Sequence, residues 1–248
     1  MKQLQQLYRS TYQGENVVTD LTLKNKQWNI TQTWIGNSVI NNQISNKACV
    51  IGNGISRKDF PIHTVINHFG GLLGTQKLQT YACNAFYREH TPDFLVVSGD
   101  DKTIIAEVAN SGFCDQNVVY ATAADIQLHP GNFYLIPQDP AWNSGSIATY
   151  LAAFDGHKTV ALIGFDMTDT QGYTYNCYAG TNGYQADGHA QASSKFQELT
   201  MLEVFTAYPN VDFVRVMPTS DWSMPESWKY VTNLRQISFR DFVLEFDI

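Results

Sequence analysis

The run Ala-Cys-Val-Ile-Gly-Asn-Gly-Ile-Ser, residues 48–56, carries a β-branched apolar stretch straight into two glycines separated by one asparagine. Without a Cβ at Gly52 and Gly54 a ligand can come close to the backbone, and exposed amides at such a turn suit a phosphate or a ribose. Ser56 lies two residues beyond Gly54. The same pair also makes a tight turn with no ligand, so the motif needs partners. Three other polar groups end apolar runs: Cys83-Asn84, Ser98-Gly99-Asp100-Asp101 and Gly164-Phe165-Asp166. Ligands of open parallel sheets bind outside the carboxyl ends of the strands, which would gather these four ends into one crevice. Taken singly, each is also what an ordinary solvated loop looks like.

Asn143-Ser144-Gly145-Ser146 opens a helical pattern, and helix N-terminal amides carry partial positive charge that can hold a phosphate. Capping by Ser144 or Ser146 explains the same residues. His189 stands just ahead of another helical pattern. An imidazole with a pKa of about 6.5 can take a proton from a hydroxyl at neutral pH, the task of a general base. Asp100 and Asp101 fit either Mg²⁺ held through nucleotide phosphates or the cap of the helix that follows. No serine or cysteine sits in a Gly-x-Ser-x-Gly elbow.

The elements that must position these residues follow from periodicity. Strands are expected at 48–51, 77–82, 94–97, 118–120, 133–136, 159–163 and 212–216, and helices at 104–109, 144–154 and 193–208, the last closed by Pro209. Short apolar runs alternating with helices define an α/β fold with a mostly parallel open sheet of about seven strands and helices on both faces. Residues 1–46, rich in Gln and Asn and carrying Trp28 and Trp34, read as a hairpin or cap on a single α/β domain over 47–248. The aperiodic stretch 168–190, with Tyr173, Tyr175, Tyr178 and Tyr184, is long enough to be a lid or binding loop.

Composition narrows the function classes. With 16% charged residues and a net charge of -7, the 248-residue chain has no basic patch for nucleic acid. It has no run of about 18 apolar residues to span a bilayer and no signal-peptide pattern at its start, so the cytoplasm is the expected compartment. The four cysteines are too scattered for a metal knuckle, and the six histidines show no metal-binding spacing.

The order GNGIS, CNAFY, NSGSIATYLAAFDGHKTVALIGFDM, GHAQASSKFQELTML across residues 48–216 resembles the bacterial sialyltransferases of family 42. It also resembles the related group of hydroxymethylpterin diphosphokinases and motility accessory factors. The resemblance implies a Rossmann-like, GT-A-variant fold and an inverting, metal-independent transfer from a nucleotide sugar, a CMP-sugar above all, to a glycan or other hydroxyl acceptor, with no separate cofactor. It implies that Asn53, Gly54, Asn84, Ser144 and Gly145 hold the nucleotide and that His189, in a Gly-His pair, is the catalytic base. The family's arginine falls about where this chain has Ala141, and its phosphate-binding tyrosines fall near Thr168 and Thr174, with Tyr173, Tyr175, Tyr178 and Tyr184 close enough to replace them. The residue reading adds Gly52, Ser56, Asp100 and Asp166 to the binding set. Two alternatives stand beside the transferase. One is a catalytically degenerate structural or interaction protein with the same fold; a homo-oligomer or structural assembly is a separate partner expectation. The other is an ATP- and Mg²⁺-dependent diphosphokinase whose metal sits on Asp100, Asp101 or Asp166.

Overall fold

The computed structural model describes residues 2–7, 15–36, 45–66, 78–99, 102–138, 140–167, 176–186 and 194–248. Strands β1 (Lys2–Leu7), β2 (Glu15–Lys24) and β3 (Gln27–Gly36) form their own antiparallel sheet, in the order β1-β2-β3. The two-residue link Asn25-Lys26 has φ of 53° and 63°, the left-handed pair that a type I′ hairpin turn requires.

The second sheet has eight strands: β4 (Lys47–Ile51), β5 (Gln79–Cys83), β6 (Phe94–Val97), β7 (Val118–Ala121), β8 (Tyr134–Leu135), β9 (Thr159–Ile163), β10 (Asp212–Met217) and β11 (Leu234–Ser238). All its pairings are parallel, in the order β11-β10-β9-β4-β5-β6-β7-β8. The chain lays β4 in the middle, walks outward to β8, then crosses back to the other side of β4 and walks outward again. Its point of reversal therefore lies between β4 and β9, the signature of a doubly wound, Rossmann-like sheet. Ala48–Ile51 and Val160–Ile163 are wholly buried, as continuous apolar runs must be in a sheet covered on both faces. Each such Val or Ile contributes about 1.5–3 kcal/mol. The eighth strand, beyond the seven expected, is β11: Leu-Arg-Gln-Ile-Ser is half-buried at every position and pairs on one side only, so it has no continuous apolar run.

The helices are α1 (Ile62–Ile66), α2 (Thr103–Asn110), α3 (Ala123–Leu128), α4 (Ser144–Phe154), α5 (Ser194–Ala207) and α6 (Phe239–Phe246). Helix α4 makes the return crossing. It is apolar around most of its circumference and packs on β4, β5, β6 and β9, which makes it a buried helix rather than an amphipathic one. Running antiparallel to the strands it joins, it opens at their carboxyl edge. Cys49 and Cys83 are buried free thiols, and Cys114 and Cys177 are half-buried free thiols. Among the described residues, no helix is long and apolar enough to cross a membrane.

Candidate functional site

A cleft of about 410 Å³ opens at the carboxyl edge of the sheet, across the reversal between β4 and β9. Its floor comes from the ends of β4 (Gly52, Asn53, Gly54), β5 (Asn84), β6 (Ser98) and β9 (Gly164, Phe165, Asp166). The first turn of α4 forms one bank, and Tyr184 and Phe196 approach from outside.

The turns after β4 and β9 are built into each other. Gly52 N–H donates to the Ile163 carbonyl (2.8 Å) and Gly54 N–H to the Gly164 carbonyl (3.0 Å). A Cβ on Gly52 would lie 2.7 Å from the Gly164 oxygen, and one on Gly164 would lie 2.7 Å from the Gly52 oxygen. Gly164 also has φ +74°, a left-handed conformation that disfavours any side chain. A carboxylate completes the lock. Asp166 accepts from Ser56 N–H (2.9 Å) and from the Ser56 hydroxyl, both buried. Burial is the main influence on Asp166 and raises its pKa, while the bonds from Ser56 pull the other way. The close backbone approach that Gly52 and Gly54 allow is thus to another turn of the same chain. Their amides are used within the fold, although the residues still face the cleft.

Behind this lock stands Arg215. Fully buried in β10, it donates from Nε to the Phe165 carbonyl (3.0 Å) and from Nη2 to the Asp166 carbonyl (2.9 Å). Burial lowers its pKa to about 10, so it stays cationic at neutral pH, and it faces the Trp228 ring at 5.7 Å. The floor continues across β5 and β6. Asn53 Nδ2 donates to the Cys83 carbonyl (3.1 Å), while its Oδ1 is buried with no hydrogen-bond partner among the described residues. Asn84, at φ +50°, accepts from Ser98 N–H (3.3 Å).

The α4 bank differs. Its cap is Asn143, whose Oδ1 accepts from Ser146 N–H (3.1 Å), rather than either serine of the motif. Asn143 Nδ2 is fixed by Ser146 Oγ (2.9 Å) and by Thr200 Oγ1 on α5 (2.8 Å), which selects the amide orientation that caps. Ser144 turns its hydroxyl to the Ser98 carbonyl (3.0 Å), tying the helix to β6. The backbone amides of Ser144 and Gly145, both lining the cleft, are left without an acceptor among the described residues. These are the donors that the positive end of a helix offers to an anion.

The outer wall is held by charged groups. Arg57 Nη2 donates to Tyr178 Oη (3.0 Å), and Tyr178 in turn donates to Glu89 (3.3 Å). Arg88 pairs with Glu107 (2.6 Å) and also reaches Thr181 Oγ1 (2.9 Å) and the Asn182 carbonyl (2.8 Å). Hydrogen bonds from Arg88, above all, bring Glu107 down to about 2. Residues 176–186 are therefore fastened to α2 and to the turn after β5. Tyr184 faces the cleft with its oxygen accepting from Ala85 N–H (3.3 Å), whereas Tyr178 is buried and committed to Arg57 and Glu89.

Of the residues singled out in the sequence, Gly52, Asn53, Gly54, Asn84, Ser144, Gly145, Asp166 and Tyr184 converge on the cleft, and Ser56 lies just behind it as the partner of Asp166. Asp100, Asp101, Tyr173, Tyr175 and His189 lie outside the described residues. Three contributors were not anticipated: Arg215, Thr200 and Trp142. A charge inside the apolar run Asp-Phe-Val-Arg-Val-Met was the one available signal for Arg215. Nothing local marks Thr200 or Trp142.

Fold and site together define a doubly wound, Rossmann-like α/β protein with a cleft at its topological switch point. Comparison with protein-family models, with curated proteins and with solved structures finds no match to this chain.

Proposed function

We propose that the cleft binds a nucleotide sugar and that the chain transfers the sugar to a hydroxyl acceptor, with His189 as general base. The observation that carries the binding half is the first turn of α4, where Ser144 and Gly145, whose amides have no acceptor among the described residues, line the switch-point crevice. The buried, unpaired Asn53 Oδ1 adds an acceptor on the floor, suited to an amino or hydroxyl group of the same ligand. The catalytic half, and CMP as the nucleotide, rest on the resemblance to family 42 sialyltransferases. Tyr184 and Phe196, on either side of position 189 in the chain, both line the cleft, which agrees with a base acting there. The diphosphokinase alternative loses support at Asp166, whose carboxylate is already bonded to the Ser56 amide and hydroxyl rather than open to Mg²⁺.

Thermal unfolding in CMP and in ATP plus Mg²⁺ separates the readings. A ligand at a hundredfold its Kd adds about 2.7 kcal/mol, on the order of 5–10 °C for a chain of this size. CMP is expected to give that shift and ATP plus Mg²⁺ is not. Donor turnover then tests catalysis: His189→Ala is expected to abolish transfer while leaving CMP binding intact, and full activity in that variant would remove His189 from the mechanism. One observation favours a non-catalytic relative: the amides of Gly52 and Gly54 are spent on the Ile163 and Gly164 carbonyls, and Ser56 and Asp166 are spent on each other. Absence of any nucleotide shift would select that reading.

A further inference from the structure

We propose that the cleft seats an uncharged ring against Trp142 and rejects an acidic one. The inference rests on the nucleotide-sugar reading and specifies which sugars the site takes.

Trp142 immediately precedes the α4 cap, lines the cleft and is half-buried. Its orientation is fixed from two sides. The indole N–H donates to Glu203 Oε2 on α5 (3.0 Å), and its ring meets Tyr150 edge-on, at 5.8 Å between centroids and 85° between planes. A ring bonded to a phosphate at the Ser144 and Gly145 amides would extend from the donors that adjoin this indole. Aromatic rings in pockets receive the apolar faces of such groups.

Charge decides what kind of ring. Between Lys102 and Lys195 the chain contains a single Lys or Arg, Lys158. Lys158 is bonded through its backbone to Asn46 and Asp212 at the amino end of β9, the opposite edge of the sheet. Lys102 does line the cleft, but its ammonium is held by the Gly99 carbonyl (2.9 Å) and lies 2.8 Å from the Asp125 carboxylate. Among the described residues lining the cleft Lys102 is the one Lys or Arg, so the α4 bank has helix amides for one anionic group and no free Lys or Arg for a second. The indole N–H of Trp142 is itself bonded to the Glu203 carboxylate, a negative charge that repels a sugar carboxylate.

The test uses base-free probes that differ only in the sugar: glucose 1-phosphate, glucuronic acid 1-phosphate and inorganic phosphate. The protein has five tryptophans, and the Trp142→Phe spectrum assigns the Trp142 indole N–H resonance. Glucose 1-phosphate is expected to shift that resonance where phosphate does not, and to bind about tenfold more tightly than glucuronic acid 1-phosphate. Trp142→Ala should weaken glucose 1-phosphate about fivefold and leave phosphate unchanged, whereas Trp142→Phe, which keeps an aromatic face, should retain most of the affinity. Equal or tighter binding of glucuronic acid 1-phosphate overturns the proposal. So does an equal loss of phosphate and glucose 1-phosphate in Trp142→Ala, or no binding by any probe. Since no probe carries a base, failure of CMP to bind would remove the nucleotide reading while leaving the ring site standing.

Discussion

The two banks of the cleft are made of the same small polar residues and use them in opposite ways. On the β4–β9 bank, Gly52 and Gly54 spend their amides on carbonyls of the neighbouring turn, and Ser56 spends its amide and hydroxyl on Asp166. On the α4 bank, Asn143 caps one amide, Thr200 holds Asn143 in place, and the amides of Ser144 and Gly145 have no acceptor among the described residues. A glycine after a strand therefore reports that something approaches the backbone closely, without saying what. Here it is another stretch of the same chain on one bank and open cleft on the other. If that contrast is right, substitutions on the first bank cost stability and those on the second cost binding.

The largest effect is expected at Gly164→Ala. The new methyl would lie 2.7 Å from the Gly52 oxygen and 3.3 Å from Arg57 Cδ, on a backbone at φ +74°. Left-handed strain and overpacking together cost about 3 kcal/mol. For a chain of this size that lowers Tm by roughly 10 °C. Thermal unfolding followed by circular dichroism measures it, and an unchanged Tm would mean that the two turns are not locked.

Asp166→Ala comes next. It strands the Ser56 amide and hydroxyl in a buried site, a loss of about 2 kcal/mol. The loss is tempered because burial already disfavours the ionised carboxylate. CMP affinity, measured well below Tm, should not fall, since a carboxylate offers a phosphate only repulsion. A large drop in affinity without a drop in Tm would invert the assignment of this bank.

The sequence made parts of this contrast legible and hid others for physical reasons. Buried central strands announce themselves as unbroken runs such as Ala-Cys-Val-Ile and Val-Ala-Leu-Ile, because both faces are covered. The edge strand β11, Leu-Arg-Gln-Ile-Ser, has no such run and went unread. The glycine turn was visible, but the partner of Ser56 lies 110 residues away, and a contact at that distance leaves no local pattern. The cap was ambiguous because Asn143, Ser144 and Ser146 are all able to cap. The choice falls to the one that Thr200 orients, which is a tertiary fact. Tyr178 and Tyr184 are chemically alike and close in the chain, yet one is turned to Arg57 and the other to the cleft.

Gly145→Ala should change stability least and sharpen the comparison most. The added Cβ would sit 3.3 Å from Asn143 Oδ1 and 3.4 Å from the Phe165 ring, tight but short of the backbone collision at Gly164. Alanine is the better helix former by about 1 kcal/mol, which offsets that crowding and leaves stability within roughly 0.5 kcal/mol of the parent. The methyl nevertheless narrows the approach to the Gly145 amide, so CMP affinity is expected to fall about tenfold by calorimetric titration. Gly164→Ala and Gly145→Ala make the same chemical change at two glycines of one cleft. The first should report on folding and the second on binding, and equal effects of both on either quantity would erase the distinction between the banks.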